Sequence, residues 1–134
     1  MAFNENSRVK IPALIHLERL GYTYLSLSKS QWDLDTNIFV DVFNHSLKKI
    51  NPSITDQEIN SVLTDIKLKL NYEDLGKDFY RQLTSQSGHK LIDFKNFENN
   101  SFHVVTELTC KNGDEEFRPD ITILINGIPL VLLR

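Results

Sequence analysis

Asp120 is the side chain of this sequence most in need of a reason. It follows Pro119 inside FRPDITILI (Phe117 to Ile125), a run that is largely apolar after it. Asp is depleted in strands, and a carboxylate buried without a partner is costly. The residue is therefore paired, placed at an edge, or kept for chemistry. Arg118 lies two residues back, on the same face of any strand holding both, and Glu107 is a second acid in the preceding β-rich run. Glu107 can pair with Arg118 across two strands, or it can stand beside Asp120 as an accessory metal ligand. His16, His45, His89, His103 and Cys110 share no ligand spacing that suggests zinc. Glu18, with Arg19 beside it, reads as a surface carboxylate, and no Gly-x-x-x-x-Gly-Lys-Ser/Thr loop for ATP is present.

The elements that must position these groups belong to an ordinary globular chain. With 134 residues, 40% hydrophobic and 25% charged, one domain with its own core is expected. The net charge of -3 does not mark a nucleic-acid binder, so phosphate contacts need a local basic surface or further polypeptide. A single cysteine forms no internal disulfide, MAFNENSRVK has no signal-peptide core, and no run is long enough to span a membrane. A cytoplasmic protein without a membrane partner is expected.

Helices come first. Ile11, Leu14, Ile15, Leu17 and Leu20 follow helical spacing, and Gly21 is a natural stop. Tyr22 to Leu27 permits a short strand. Asp35 or Thr36 is the expected cap of a second helix with Ile38, Phe39, Val42, Phe43, Leu47 and Ile50 on one stripe, ended by Asn51-Pro52. Thr55 and Glu58 form a capping-box pattern ahead of Ile59, Val62, Leu63, Ile66 and Leu70. A fourth helix is expected over Tyr72 to Leu83, and Trp32 reads as a packing anchor.

The last third changes period. Runs over Phe102–Cys110, Phe117–Ile125 and Ile128–Leu133, separated by Asn112-Gly113 and Asn126-Gly127, predict an antiparallel three-strand meander. A two-residue Asn112-Gly113 turn pairs Lys111 with Asp114, Glu107 with Arg118 and Val105 with Asp120. Glu107, Arg118 and Asp120 then share a charged face, while Phe102, Val104, Leu108, Phe117, Ile121 and Ile123 form the core face.

FRPDITILINGIPLVLLR resembles the signature of the amino-terminal nuclease domain of type I restriction enzyme endonuclease subunits, where Arg-Pro-Asp, Asn-Gly and Pro-Leu-Val lead to Glu-x-Lys. The resemblance extends upstream through VKIPALIHLERLGY, DTNIFVDVF, KKINP and GKDFYRQL, over nearly the whole chain. It implies an α/β (α+β) domain of the PD-(D/E)xK restriction-endonuclease-like fold, and Mg²⁺-dependent hydrolysis of DNA phosphodiester bonds. Asp120 becomes the catalytic, metal-binding Asp of that motif. Neighbouring carboxylates can hold a hard, oxygen-seeking Mg²⁺ against a phosphate, and a Lys can orient the water. Double-stranded DNA and the modification and specificity subunits are the implied partners, and ATP is used only by a motor domain elsewhere in the longer subunit.

Against that pattern, Arg134 stands where Glu is expected, and the Lys falls past the last residue. The chain is thus expected to be an N-terminal fragment (1–134, one domain), truncated before the end of the core and inactive by itself. The alternative function is a non-catalytic assembly or docking module of a DNA-processing complex, favoured if the third strand is apolar and exposed. A plain two-residue turn at Asn126-Gly127 would set Leu133 opposite Asp120. Position 134 reaches Asp120 only through a longer loop or a bulge, which is the expectation here.

Overall fold

The computed structural model describes residues 11–34, 36–70, 77–85, 88–112 and 115–133. α1 (Ile11–Arg19) ends at Gly21, whose φ of 104° suits a residue without a Cβ. None of its residues is fully buried, and Ile11 and Ile15 remain exposed. β1 (Thr23–Tyr24) is shorter than the 22–27 expected.

α2 (Val40–Ile50) begins later than its expected cap. Asp35 lies outside the described residues. The Thr36 hydroxyl is already engaged: it donates to Asp33 Oδ2 (3.1 Å) and accepts from the Ile38 N–H (3.2 Å). Such local bonds favour a turn over a helix, and Asn37 follows at a φ of 60°. Phe39 takes the cap position without a side-chain cap, and its N–H donates instead to the Gly127 carbonyl at 2.9 Å.

α3 (Asp56–Leu70) starts as the sequence predicts. The Glu58 N–H donates to Thr55 Oγ1 (3.1 Å), and the Thr55 N–H donates to Glu58 Oε1 (3.0 Å), the reciprocal capping box. α4 (Lys77–Thr84) covers part of the expected fourth helix, and residues 71–76 lie outside the described ones. No described helix is long and apolar enough to cross a membrane.

Phe43 and Leu47 of α2 and Ile59 and Ile66 of α3 are all but inaccessible and meet Ile54, Leu91 and Ile128 in the main core. Each such side chain contributes about 1.5–3 kcal/mol through burial. A second cluster joins Phe39, Val105, Leu108 and Leu124, with Trp32 stacked on Phe39 at 5.5 Å, the anchoring role its sequence context suggests.

The strands are β2 (Phe102–Thr106), β3 (Cys110–Asn112), β4 (Glu115–Phe117), β5 (Ile121–Ile125) and β6 (Ile128–Leu133). The main sheet has the order β1-β2-β5-β6, with β1 parallel to β2 and the other pairs antiparallel. The expected meander is therefore present as β2, β5 and β6, but β3 and β4 split off as a separate hairpin.

Two expectations are corrected here. The register is shifted by two residues: Lys111 faces Glu116, Asn112 faces Glu115 and Val105 faces Thr122. Asn112 thus belongs to the paired strand and not to the turn expected at Asn112-Gly113, and residues 113–114 lie outside the described ones. Secondly, the sheet has no solvated charged face along β2 and β5. Successive residues Val104 and Val105, and likewise Thr122 and Leu124 as well as Ile121 and Ile123, are buried, so helices and loops cover both sides.

The loop before β2 is fastened by polar groups. Asp93 Oδ1 accepts from the N–H groups of Asn96 (2.9 Å) and Lys95 (3.0 Å), and Oδ2 accepts from Asn99 Nδ2 (3.2 Å). The Asn96 and Asn99 bonds hold the Asp93 carboxyl below its usual 3.8, and the Thr55 backbone and hydroxyl do the same for Glu58, below 4.5. A carboxylate with a depressed folded pKa stabilises the fold above its unfolded pKa and loses that contribution as pH falls through the folded value. Unfolding midpoints should hardly respond to these two groups above about pH 5 and should fall below about 4.5. In urea titrations Asp93→Asn should flatten the acid limb, and an unchanged limb would rule out this contribution.

Candidate functional site

β5 is preceded by Arg118, exposed, Pro119, buried, and Asp120, half-buried. The fixed φ of proline and its missing N–H suit the interruption between β4 and β5. The strand then resumes at Ile121, so Asp120 stands at its mouth. On the facing side β2 ends at Thr106, paired with Ile121, and the Glu107 N–H points to the Asp120 carbonyl at 3.4 Å. The register thus seats Glu107 beside Asp120 and not, as expected, across from Arg118. Both predicted site residues come together on adjacent strand ends.

Glu107 holds a φ of 60°, the left-handed region that non-glycine residues rarely adopt. One such residue breaks the two-residue alternation of the strand. Leu108, expected on the core face with Val104, instead packs with Val105, Leu124 and Phe39, while Glu107 is exposed. Tyr24 Oη lies 3.3 Å from Thr106 Oγ1, next to this end of the sheet.

Among the described residues no ion pair and no side-chain hydrogen bond engages the Asp120 carboxylate. A half-exposed carboxylate with a second acid on the adjoining strand end matches the donor chemistry of Mg²⁺, which prefers oxygen, keeps several waters and takes one or two protein carboxylates. No group of three or more His, Cys, Asp and Glu gathers anywhere among the described residues.

The far end of β5 fixes what β6 presents to this site. Asn126 (φ 54°) and Gly127 (φ 80°) make a two-residue turn with Ile125 facing Ile128, both in the left-handed region that a type I′ turn requires. Leu124 faces Pro129, but Ile123 faces Val131, leaving Leu130 as the extra residue of a bulge. From there the pairing runs to Ile121 with Leu133. The bulge is the device the sequence alignment requires. Arg134 itself lies outside the described residues.

The chain matches the family model described as "Type I restriction enzyme R protein N terminus" over residues 2–133. The chain belongs to this family. It is 28% identical over 156 aligned residues to the type I restriction enzyme HindI endonuclease subunit of Haemophilus influenzae, covering 98% of this chain and 15% of that protein. It is 29% identical over 138 residues to the type I restriction enzyme SauCOLORF180P endonuclease subunit of Staphylococcus aureus, with 98% of this chain and 14% of that one covered. The chain thus spans about a seventh of the length of these relatives. No solved structure matches.

Within this N-terminal region two side chains were not singled out by sequence reasoning. Thr122 is wholly buried inside β5, and His103 was weighed only as a zinc ligand. The available signal for Thr122 was its place as the lone polar residue of ITILI. Burial lowers the His103 pKa below its usual 6.5.

Proposed function

We propose that this chain is the nuclease region of a type I restriction endonuclease subunit, with the PD-(D/E)xK fold and with Asp120, assisted by Glu107, as its carboxylates for Mg²⁺. The observation that carries the reading is the register that seats Glu107 beside an Asp120 free of any ion pair among the described residues. Bound there, Mg²⁺ supplies Lewis-acid stabilisation of the phosphate and of the attacking water. Asp120, with Glu107 beside it, would hold the cation, and the cation would supply the charge that stabilises the phosphodiester. Water attacks phosphorus, the bridging P–O bond breaks, and the departing strand oxygen takes up a proton. Double-stranded DNA is the substrate, the modification and specificity subunits are the partners, and ATP serves a motor outside this chain, all in the cytoplasm. The isolated 134-residue chain is expected not to cut, because the Glu-x-Lys of the family pattern does not occur among its residues; cleavage is read in the longer subunit.

A second reading, a docking module without catalysis, is favoured by one observation. β6 lies at the sheet edge, and Val131, Leu132 and Leu133 are 41%, 43% and 40% exposed. Unpaired apolar edges invite association. The two readings part in an endonuclease subunit that carries this chain at its amino terminus. The nuclease reading expects Asp120→Ala to assemble with the other subunits and hydrolyse ATP, yet fail to cut a plasmid. The docking reading expects Leu132→Lys to lose assembly while Asp120→Ala cuts normally, and that outcome would remove Asp120 from the chemistry.

A further inference from the structure

Thr122 has no accessible surface, and its Oγ1 has no hydrogen-bonding partner among the described residues. The same is true of His103 Nδ1 on β2, which is also buried. A buried hydroxyl and a buried ring nitrogen without partners lose their hydration with nothing in return, so orphaned pairs of this kind need an explanation.

The register puts the two on one face of the sheet. Val105 faces Thr122 and His103 faces Leu124, so His103 and Thr122 are diagonal neighbours, with Cβ atoms roughly 7 Å apart. Two bonds of about 2.8 Å to one water bridge roughly 5 Å between the bonded atoms, a span that suits a short hydroxyl and an imidazole at that separation. Of the side chains closing this face, Phe39, Leu25, Leu27 and Val42 offer neither donor nor acceptor, while the Trp32 indole N–H and the hydroxyl of Thr23, which pairs with His103, are the polar groups nearby. Burial favours neutral His103, and with the ring hydrogen on Nε2 its Nδ1 accepts a hydrogen bond from the water.

We propose that Thr122 and His103 hold one buried water between them, and that this water-anchored hydroxyl makes Thr122 a positioning residue for Asp120. The second half rests on the nuclease reading. Asp120 precedes Thr122 by two residues, and the Glu107 N–H to Asp120 carbonyl contact continues the β2–β5 register to it, so strand alternation would set the two side chains next to each other on one side. A hydroxyl locked by its water holds that border in one rotamer.

The test uses the 134-residue chain, its Thr122→Val form, which keeps the shape, and Thr122→Ser, which keeps the hydroxyl. In NMR spectra of the wild type, a water cross-peak to the Thr122 amide or methyl should persist on the timescale of a buried water, and the His103 ¹⁵N shifts should report the Nε2–H tautomer. Thr122→Val should lose the cross-peak and move the Nδ1 resonance, and Thr122→Ser should restore both. Absence of the cross-peak, the opposite tautomer, or an Nδ1 resonance indifferent to Thr122→Val overturns the water site. Calorimetric titration with Mg²⁺ reads the positioning role: Thr122→Val should bind about tenfold more weakly and Thr122→Ser as the wild type does. Equal affinity for Thr122→Val overturns the positioning role alone. A wild type that binds no Mg²⁺ while the NMR results hold overturns the positioning role and the nuclease reading together and leaves the water site standing.

Discussion

Exchanging Asp120 for alanine in an endonuclease subunit that carries this domain is expected to reduce plasmid cleavage about a thousandfold, with ATP hydrolysis and subunit assembly unchanged. A metal that offsets charge on a phosphoryl group is worth several kcal/mol in the transition state, and a loss of about 4 kcal/mol corresponds to that factor. Glu107→Ala should cost less, because the residue is exposed and on the proposed reading only assists Asp120 from the neighbouring strand end. The measurement is nicking and linearisation of a plasmid bearing the recognition site, in Mg²⁺, alongside the ATPase rate. Loss of both activities together would point to a folding defect; loss of cleavage alone is the predicted result.

Gly127→Ala is expected to destabilise the fold by about 3 kcal/mol. A Cβ there would lie 2.7 Å from the Phe39 carbonyl oxygen and 2.8 Å from the Phe43 nitrogen, both backbone atoms of the helix that packs on the turn. A φ of 80° adds the cost of a left-handed L-residue, about 1–2 kcal/mol, and crowding adds about 1–3 kcal/mol. Gly88→Ala is an internal control, because Gly88 has a similar φ of 67° but nothing within 4 Å of the added Cβ. It should cost only the backbone component, about 1 kcal/mol. Equal urea midpoints for the two variants would refute the clamp between α2 and the β5–β6 turn. That clamp is completed by Asn126, wholly buried, which donates to the Leu91 carbonyl (2.8 Å) and Asn100 Oδ1 (3.0 Å) and accepts from the Ser101 N–H (2.8 Å).

Much of this architecture is legible in the sequence because it is written in local chemistry. Thr55 and Glu58 announce the start of α3, and Asn126-Gly127 announces the turn, since each motif satisfies or permits its own backbone geometry. A counting argument that needs no coordinates, only the demand that position 134 reach Asp120, asks for a longer loop or a bulge, and the structure answers with a bulge at Leu130. Where two local signals competed with tertiary pairing, the pairing won. Asn112-Gly113 is a strong hairpin dipeptide, yet in the frame set by Val105 facing Thr122 it is Asn112 that pairs with Glu115 inside the strands. The left-handed Glu107 is invisible to alternation rules, and it redirects Leu108 to the opposite side of the sheet. For the site, Asp120 and Glu107 stood out by residue type, but their adjacency depended on a two-residue shift that no local motif encodes. Thr122 and His103 escaped attention because a buried, unpartnered polar atom is a property of packing, not of spacing.

The most direct measurement is paramagnetic broadening by Mn²⁺ in place of Mg²⁺, followed residue by residue in the amide spectrum of this chain. A cation held by Asp120 and Glu107 predicts that signals from residues 106–108 and 119–121 vanish first, and that Asp120→Ala abolishes the effect. Broadening centred elsewhere, or unchanged in Asp120→Ala, would contradict the account.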